Sequence, residues 1–306
     1  MKVIDGNALA NELHASIQDE LQILRMSAVQ PGLATVVIGE DFGARSYEHH
    51  VHRLAEELEY GYVREQLAPD AELADVIATL GKLNADPRIT GILVLQPLPR
   101  HLPEAEINSA IDPLKDIEAV HPVNAGLLAQ GRPRFVPSSA AACFYILDSY
   151  VRSEGEDPAT FYRGRTLVVV GRSNGLGKPA QWLGLQRDAT VVACHTGTND
   201  AGRLADFTRQ ADIIIAAAGV PALITGEMVR EGVIAIDVGI NALKDDATGA
   251  VHMVGDLDFE SVAIKAEAIT PVPGGVGPVT DVWLVGNTLA AAAMAARMEP
   301  RFGAQR

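Results

Sequence analysis

The chain has 306 residues, of which 48% are hydrophobic and 21% are charged, a balance typical of a soluble globular protein with about two domains. This composition excludes collagen-like, disordered and coiled-coil proteins. Asp and Glu outnumber Lys and Arg by 39 to 25, so the formal net charge is −14. A field of this sign repels phosphate backbones and anionic lipid headgroups, so we expect neither nucleic acid nor a membrane as a partner.

Cysteine content and apolar runs predict a cytoplasmic protein. Cys143 and Cys194 are too few for a disulfide framework and lack the C-x-x-C spacing of a zinc site, so no metal is expected. The N-terminal sequence MKVIDGNALANELH contains no continuous apolar segment of a signal peptide. The longest apolar stretch, 213–224, is interrupted by Gly219 and Pro221 and is shorter than the roughly 20 residues of a membrane span.

The first half of the chain alternates helical and extended patterns. Apolar residues at spacings of three and four predict helices, and short apolar or β-branched runs predict strands. The predicted helices are 8–26, 46–58 and 70–84, and the predicted strands are 33–38, 61–66 and 91–95. Because strands such as 33–38 are continuously apolar, we expect a parallel sheet covered on both faces.

The second half has the pattern of a dinucleotide-binding sheet. A polar, acidic segment, 152–165, is interpreted as the surface connection between two domains. Four short strands separated by turn and helix signals follow it, at 166–170, 190–193, 213–215 and 233–237. An alanine-rich segment, 287–297, is predicted to form the final helix.

A glycine-rich turn, GRSNGLGKP at 171–179, follows the first of these strands. Glycines between a strand and a helix let backbone N–H groups approach a pyrophosphate, although a tight structural turn is the alternative for a spacing other than G-x-G-x-x-G. The next strand ends near Thr196, without the acid that binds the ribose of NAD. Arg172 can pair with a 2′-phosphate, so NADP is favoured. The candidate cofactor residues here are Gly171, Arg172, Ser173, Gly177 and Thr196.

A second loop, PVPGGVGP at 271–278, contains three glycines and three prolines. Such constrained backbones often line a ligand, and a tight turn between domains is the alternative interpretation. Asp281 follows this loop and is a candidate for substrate contact, or else a residue that stabilises the first turn of a helix.

These segments together resemble the bifunctional methylenetetrahydrofolate dehydrogenase/cyclohydrolase family. The similarity extends to DVGIN at 237–241 and HPVNAG at 121–126. It implies a two-domain α/β fold, with an N-terminal folate-binding domain at 1–148 that the last helix, 284–306, completes, and a Rossmann-type NADP-binding domain at 149–283. It also implies an active-site cleft where the domains meet, a tetrahydrofolate derivative as substrate and a homodimer.

The resemblance assigns roles to individual residues. It adds Ile240 to the cofactor-binding residues. The substrate-binding candidates, with Asp281 from the preceding argument, are Tyr47, Leu95, Glu118, Pro273, Gly274, Gly275 and Asp281. The candidate catalytic positions are Tyr47, Val51, Gln96 and Glu118.

Three polar positions of the family's active site are changed in this chain. The family has a Tyr followed four residues later by a Lys, whereas here Tyr47 is followed by Val51. The family strand GILVQLPLP reads GILVLQPLP, and adjacent residues of a strand face opposite sides, so Gln96 does not simply replace a Gln at Leu95. The family's KDVDG reads KDIEA, with Glu118 in place of the Asp that reads the pterin.

These changes affect the two family activities differently. Hydrolysis of the methenyl cation requires a group that assists deprotonation of water, and Val51 has no ionisable group. Hydride transfer depends mainly on two aligned ligands. The favoured function is therefore NADP-dependent 5,10-methylenetetrahydrofolate dehydrogenase with cyclohydrolase activity lost or weak.

Two other functions stay open. The scaffold could transfer a one-carbon unit or a methyl group to another acceptor in specialised metabolism, or it could be a folate-binding pseudoenzyme. His49, His50 and His52 fan around one helix and are interpreted as surface residues without a shared ligand.

Overall fold

The computed structural model describes residues 1–244 and 251–303, which form two compact units. The three-stranded unit comprises Leu13–Pro137 and Asp281–Arg306, and the six-stranded unit comprises Met1–Glu12 and Ser138–Thr280. Both sheets named here are parallel, as the continuously apolar strands predict. No helix in the described part of the chain is long and apolar enough to cross a membrane.

The three-stranded unit has the strand order β3-β2-β4, with helices between successive strands. The central strand β2 is buried at every position because it pairs on both edges. The elements are α1 (Gly6–Met26, which begins in the other unit), β2 (Gly32–Ile38), α2 (Phe42–Glu57), β3 (Gly61–Leu67), α3 (Leu73–Ala85), β4 (Gly91–Val94), α4 (Glu104–Ala110) and α5 (Pro122–Ala129).

The six-stranded unit has the strand order β1-β11-β8-β7-β5-β6. Its elements are β1 (Lys2–Val3), α6 (Ser138–Ser153), α7 (Pro158–Phe161), β5 (Thr166–Val170), α8 (Gly177–Leu185), β6 (Thr190–Cys194), α9 (Thr196–Asp200), α10 (Leu204–Thr208), β7 (Ile213–Ala216), a 3-10 turn (Gly226–Met228), β8 (Ile234–Asp237), β9 (Asn241–Lys244), β10 (Val251–Val254), α11 (Phe259–Ala263), β11 (Ala268–Ile269) and α12 (Val276–Ala295, which continues into the other unit). Strands β9 and β10 form a separate antiparallel pair.

The order of these strands creates a switch point. The chain runs from β5 to β6 on one side and then returns to β7 on the other side of β5. In open parallel sheets, ligands bind at the carboxyl ends of the strands beside such a reversal. The glycine-rich turn that follows β5 lies at this place.

The division between the units differs from the predicted boundary. It falls after Pro137, so α6 belongs to the six-stranded unit, and segment 152–165 lies within that unit instead of connecting two domains. The physical reason is packing: Tyr162, in this segment, is fully buried, and its ring lies 5.9 Å from that of Phe144 in α6. The segment is polar in composition, and its aromatic residues nevertheless belong to a core.

Two helices begin earlier than the periodicity predicts. Helix α2 begins at Phe42 because the side chain of Asp41 accepts a hydrogen bond from the Ala44 amide at 2.8 Å and caps the first turn. Helix α12 begins at Val276, directly after the constrained loop. Asp281 is therefore the sixth residue of its helix, and the prediction of a first-turn position for it is wrong.

Candidate functional site

Tyr47 is at the centre of the candidate site in the three-stranded unit. Its hydroxyl interacts with the carboxylate of Asp281 in α12. Burial, and then the charges of Asp281 and Glu118, raise the pKa of Tyr47 well above its ordinary value. The phenol therefore stays protonated near neutral pH. The structure thus brings together three residues that the sequence selects from separate segments.

Asp281 also binds a histidine that the sequence analysis assigned to the surface. The Nε2 atom of His50 lies 2.7 Å from Oδ2 of Asp281, and the two side chains are 37% and 18% exposed. This hydrogen bond raises the pKa of His50 above its ordinary value. His50 is thus partly exposed, as predicted, and it has in addition a specific partner that the sequence does not reveal. Its position three residues after Tyr47, on one helix face, was the signal that could have associated His50 with the site.

The second ring nitrogen of His50 has its own partner. Nδ1 lies 3.2 Å from Nη2 of Arg53. A carboxylate only accepts and a guanidinium only donates, so the neutral imidazole carries its proton on Nε2 and accepts at Nδ1. The neighbouring histidines do not join this chain of contacts: His49 contacts the carbonyl of Arg45, and His52 stacks on Tyr62.

Two of the positions that differ from the family motifs, one in α2 and one after β4, carry buried apolar side chains. Val51, one turn after Tyr47 in α2, is 0% exposed, and Leu95, which follows β4, is 4% exposed. Gln96 is exposed, and its side-chain oxygen accepts a hydrogen bond from the amide of Leu98 at 3.1 Å. Neither Val51 nor Leu95 therefore brings a polar group to the site.

Glu118 lies half-buried in a loop that a buried carboxylate organises. Asp116 accepts hydrogen bonds from the amides of Val120 and His121 at 3.1 and 2.9 Å and from Asn124 Nδ2 at 2.8 Å. Helix α12 secures the same loop, since Asn287 donates to the carbonyl of Ile117 at 2.8 Å. These contacts hold the loop that carries Glu118, whose negative charge contributes to the raised pKa of Tyr47.

The constrained loop at 271–278 belongs to the six-stranded unit. Gly274 has a φ of +98°, and a Cβ on Gly275 would lie 2.5 Å from the carbonyl oxygen of Pro271. The amide of Gly6 donates to the carbonyl of Gly274 at 2.9 Å. Pro273 is exposed and Gly274 half-buried at the surface of this loop, while Gly275 is buried.

The glycine-rich turn has close backbone approaches that leave no room for side chains. A Cβ on Gly177 would lie 2.4 Å from the carbonyl oxygen of Gly171, and a Cβ on Gly171 would lie 2.3 Å from that of Ala217, directly after β7. The amide of Gly177, the first residue of α8, donates to Oγ of Ser173 at 3.2 Å. Only glycine fits these two positions, because the turn packs against its own backbone and against the residue that follows β7.

The remaining predicted cofactor residues follow neighbouring parallel strands. Arg172 and Thr196 are exposed after β5 and β6, and Ile240 is 63% exposed after β8. The carboxyl ends of these strands lie at one edge of the sheet. In the described residues, no group of three or more His, Cys, Asp or Glu side chains converges as a metal site.

Comparisons with known proteins agree with this geometry. Residues 4–118 match the model of the tetrahydrofolate dehydrogenase/cyclohydrolase catalytic domain, and residues 137–296 match that of the family's NAD(P)-binding domain. The chain belongs to the tetrahydrofolate dehydrogenase/cyclohydrolase family. The two matched ranges are consistent with a boundary between the units near residue 137.

Individual members of this family cover nearly the whole chain. Bifunctional protein FolD 3 of Rubrobacter xylanophilus is 59% identical over 291 residues, which are 95% of this chain and 92% of the relative. The crystal structure of FolD methylenetetrahydrofolate dehydrogenase/cyclohydrolase from Campylobacter jejuni has a TM-score of 0.86 at 34% identity, covering 96% and 99% of the two chains. The Trypanosoma brucei FolD structure, complexed with NADP and an inhibitor, has a TM-score of 0.87 at 32% identity, covering 96% and 98%.

Proposed function

We propose that this chain oxidises 5,10-methylenetetrahydrofolate with NADP and that its hydrolysis of the methenyl product is lost or weak. The proposal of weak hydrolysis rests on Val51, which occupies the position that aligns with the family's lysine. Its isopropyl group is fully buried and has no proton to exchange. The protonated phenol of Tyr47, its pKa raised by burial, also cannot act as a base near neutral pH.

Dehydrogenation requires no ionisable group at the positions of Tyr47 and Val51. The nicotinamide cofactor supplies the hydride acceptor when it is bound, and the protein has to align it with the substrate. We place the nucleotide diphosphate at the glycine-rich turn, because this turn follows β5 at the switch point of the sheet and leads into the N-terminus of α8. Leu95 and the buried Val51 exclude water from their part of the site.

NADP is proposed over NAD because of the residues after β5 and β6. Arg172 and Thr196 offer a cation and a hydroxyl, and no carboxylate ends β6 to receive a ribose hydroxyl. The T. brucei relative, whose structure is described as complexed with NADP, supports the same choice.

One assay tests both activities. The purified protein is incubated with 5,10-methylenetetrahydrofolate and NADP, and the absorbance of NADPH and of methenyltetrahydrofolate is followed together. We expect NADPH and methenyltetrahydrofolate to accumulate in equal amounts. The rate of methenyl loss should stay close to the spontaneous rate measured without protein.

Two other outcomes contradict the proposal in different ways. Enzyme-dependent hydrolysis at roughly 1 per second or faster would show that the cyclohydrolase is retained. Folate binding without NADPH would favour either another one-carbon or methyl transfer, or a pseudoenzyme, and a second acceptor would distinguish these. A homodimer, which the resemblance implies, and a cytoplasmic location, which the cysteine content predicts, are also part of the proposal, and sedimentation velocity tests the dimer.

A further inference from the structure

Asp281 interacts with two side chains of one helix face. His50 donates a hydrogen bond to its carboxylate at 2.7 Å, and Tyr47, three residues earlier in α2, lies close enough for the charge of Asp281 to raise its pKa. With 18% of its side chain exposed, Asp281 is enclosed but still reaches the surface. A carboxylate has about four acceptor positions, so these contacts leave it able to act on a ligand.

The position of this carboxylate changes the charge of the site. Val51 follows Tyr47 by one turn on the same face of α2 and brings no charge to it. Asp281 and Glu118 both place negative charge close enough to Tyr47 to raise its pKa. The site is therefore suited to a cationic ligand group.

The oxidation creates a positive charge on the substrate. One C–H bond of the methylene bridge breaks, and both electrons leave with the hydrogen to form a C–H bond on the nicotinamide ring. No proton is released, and the positive charge of the nicotinamide passes to the N–C–N unit of the folate. A fixed carboxylate facing this unit stabilises the product-like transition state more than the neutral substrate.

We infer that Asp281 is the residue that stabilises the positive charge on the one-carbon bridge, and that His50 is the residue that positions it. The inference rests on the proposed dehydrogenase function and extends it. A cation stabilised in this way is a weaker electrophile toward water, so the same carboxylate favours release of methenyltetrahydrofolate over its hydrolysis.

The contacts of His50 favour positioning over general-base catalysis. A base needs a free lone pair, and Nδ1 of His50 already faces the guanidinium of Arg53. The charged groups that act on His50 are Asp281 from α12 and Arg53 and Glu57 from its own helix. The imidazole is thus a donor held between a carboxylate and a guanidinium.

The test uses binding as well as turnover. Asp281→Asn keeps the shape of the side chain and removes its charge. We expect its affinity for cationic methenyltetrahydrofolate to fall about tenfold or more, with the affinity for tetrahydrofolate changed less than about twofold. The kcat for NADPH formation should fall about 10²-fold. Asp70→Asn, which removes an exposed carboxylate of the same unit, should change neither value.

The pH dependence of kcat distinguishes a positioning role of His50 from a purely structural one. Protonated His50 offsets the charge of Asp281, so kcat of the unmodified protein should rise with pH as His50 loses its proton. His50→Gln keeps an N–H donor for Asp281, and it should remove this step while keeping most of the activity at high pH. His49→Gln, at a 62% exposed position of the same helix, should keep the step.

The outcomes distinguish this inference from the proposed function. If the unmodified protein forms no NADPH, the proposed function fails, and the preference for the methenyl cation still decides the role of Asp281. If the protein forms NADPH and Asp281→Asn binds both folates and turns over as the unmodified protein does, the inference is overturned and the proposed function stands. An unchanged pH step in His50→Gln would overturn the positioning role alone.

Discussion

Single side chains decide the charge of the candidate site. The Asp281 carboxylate accepts a hydrogen bond from the imidazole of His50 and raises the pKa of the Tyr47 phenol, and the Val51 side chain provides only apolar surface one turn away. A half-buried phenol with a raised pKa stays neutral, so the electrostatics of this face depend on the protonation of His50 and on the two carboxylates.

The first prediction concerns the pKa of His50 in the folded protein. The hydrogen bond to Asp281 raises the pKa of His50 above 6.5 in the folded protein. The pair therefore stabilises the folded state below the unfolded pKa, and this contribution is lost as the pH rises through the folded value. An NMR titration of the histidine ring protons should show a midpoint above 6.5, and Asp281→Asn should lower it. A midpoint that does not respond to Asp281→Asn would contradict the contact.

The second prediction concerns cofactor choice. Arg172 follows β5 with an exposed side chain, where its guanidinium can pair with a 2′-phosphate that NAD lacks. Arg172→Ala should weaken NADP binding about tenfold or more and leave NAD nearly unchanged. Calorimetric titration with both cofactors checks this. Arg163→Ala, which removes an exposed arginine from the loop before β5, is the control, and equal binding of both cofactors by the unmodified protein would refute the assignment.

Individual elements are held by polar contacts at their ends. Nζ of Lys115 donates to the carbonyls of Leu83, Asn84 and Asp86 at 3.0, 2.7 and 2.8 Å, and so brings a charged donor to the carbonyl groups at the C-terminal end of α3. Lys115 directly precedes Asp116, whose carboxylate organises the loop of Glu118. One pair of adjacent residues thus connects the end of a helix to the candidate site.

This arrangement predicts a measurable loss of stability. Lys115→Met keeps the length of the side chain and leaves three carbonyl groups without their charged donor, so the free energy of unfolding should fall by about 2–3 kcal/mol. Lys82→Met, in the last turn of the same helix at an exposed position, should change it by about 0.5 kcal/mol or less. Urea unfolding followed by circular dichroism compares the two, and equal effects would show that the contacts of Lys115 contribute nothing.

At the scale of the molecule, the candidate site depends on segments that are distant along the chain. The three-stranded unit combines α2, the end of β4, the loop of Glu118 and the C-terminal part of α12. Substitutions in these segments should therefore act on activity together and not independently, because neighbouring groups share partners.

Restoring the lysine tests this coupling. Val51→Lys alone places an ammonium group where Asp281 and Glu118 can capture it as an ion pair, which raises its pKa and disables it as a base. We expect no cyclohydrolase activity from this variant. Adding Leu95→Gln, Gln96→Leu and Glu118→Asp should produce a non-additive gain, measured as the enzyme-dependent rate of methenyl hydrolysis.

Two controls make the result clear. Val51→Met, similar in length without a charge, should stay inactive in every background, and circular dichroism verifies folding of each variant. Full hydrolysis by Val51→Lys alone would mean that the other departures have no functional effect. A folded combined variant that binds no folate would indicate a pocket suited to another substrate.

Most helices and strands, and the motifs, can be predicted from the amino-acid sequence without coordinates. Local periodicity encodes a helix or a strand, so both parallel sheets, the glycine-rich turn and the departures at Val51, Leu95 and Glu118 could be recognised without coordinates. The contact between His50 and Asp281 could not be predicted, because these residues are 231 positions apart and their contact depends on how α12 packs in the three-stranded unit. The boundary after Pro137 could not be predicted either, since a polar composition does not reveal that Tyr162 is buried. Contacts between distant residues follow from packing, which no local pattern specifies.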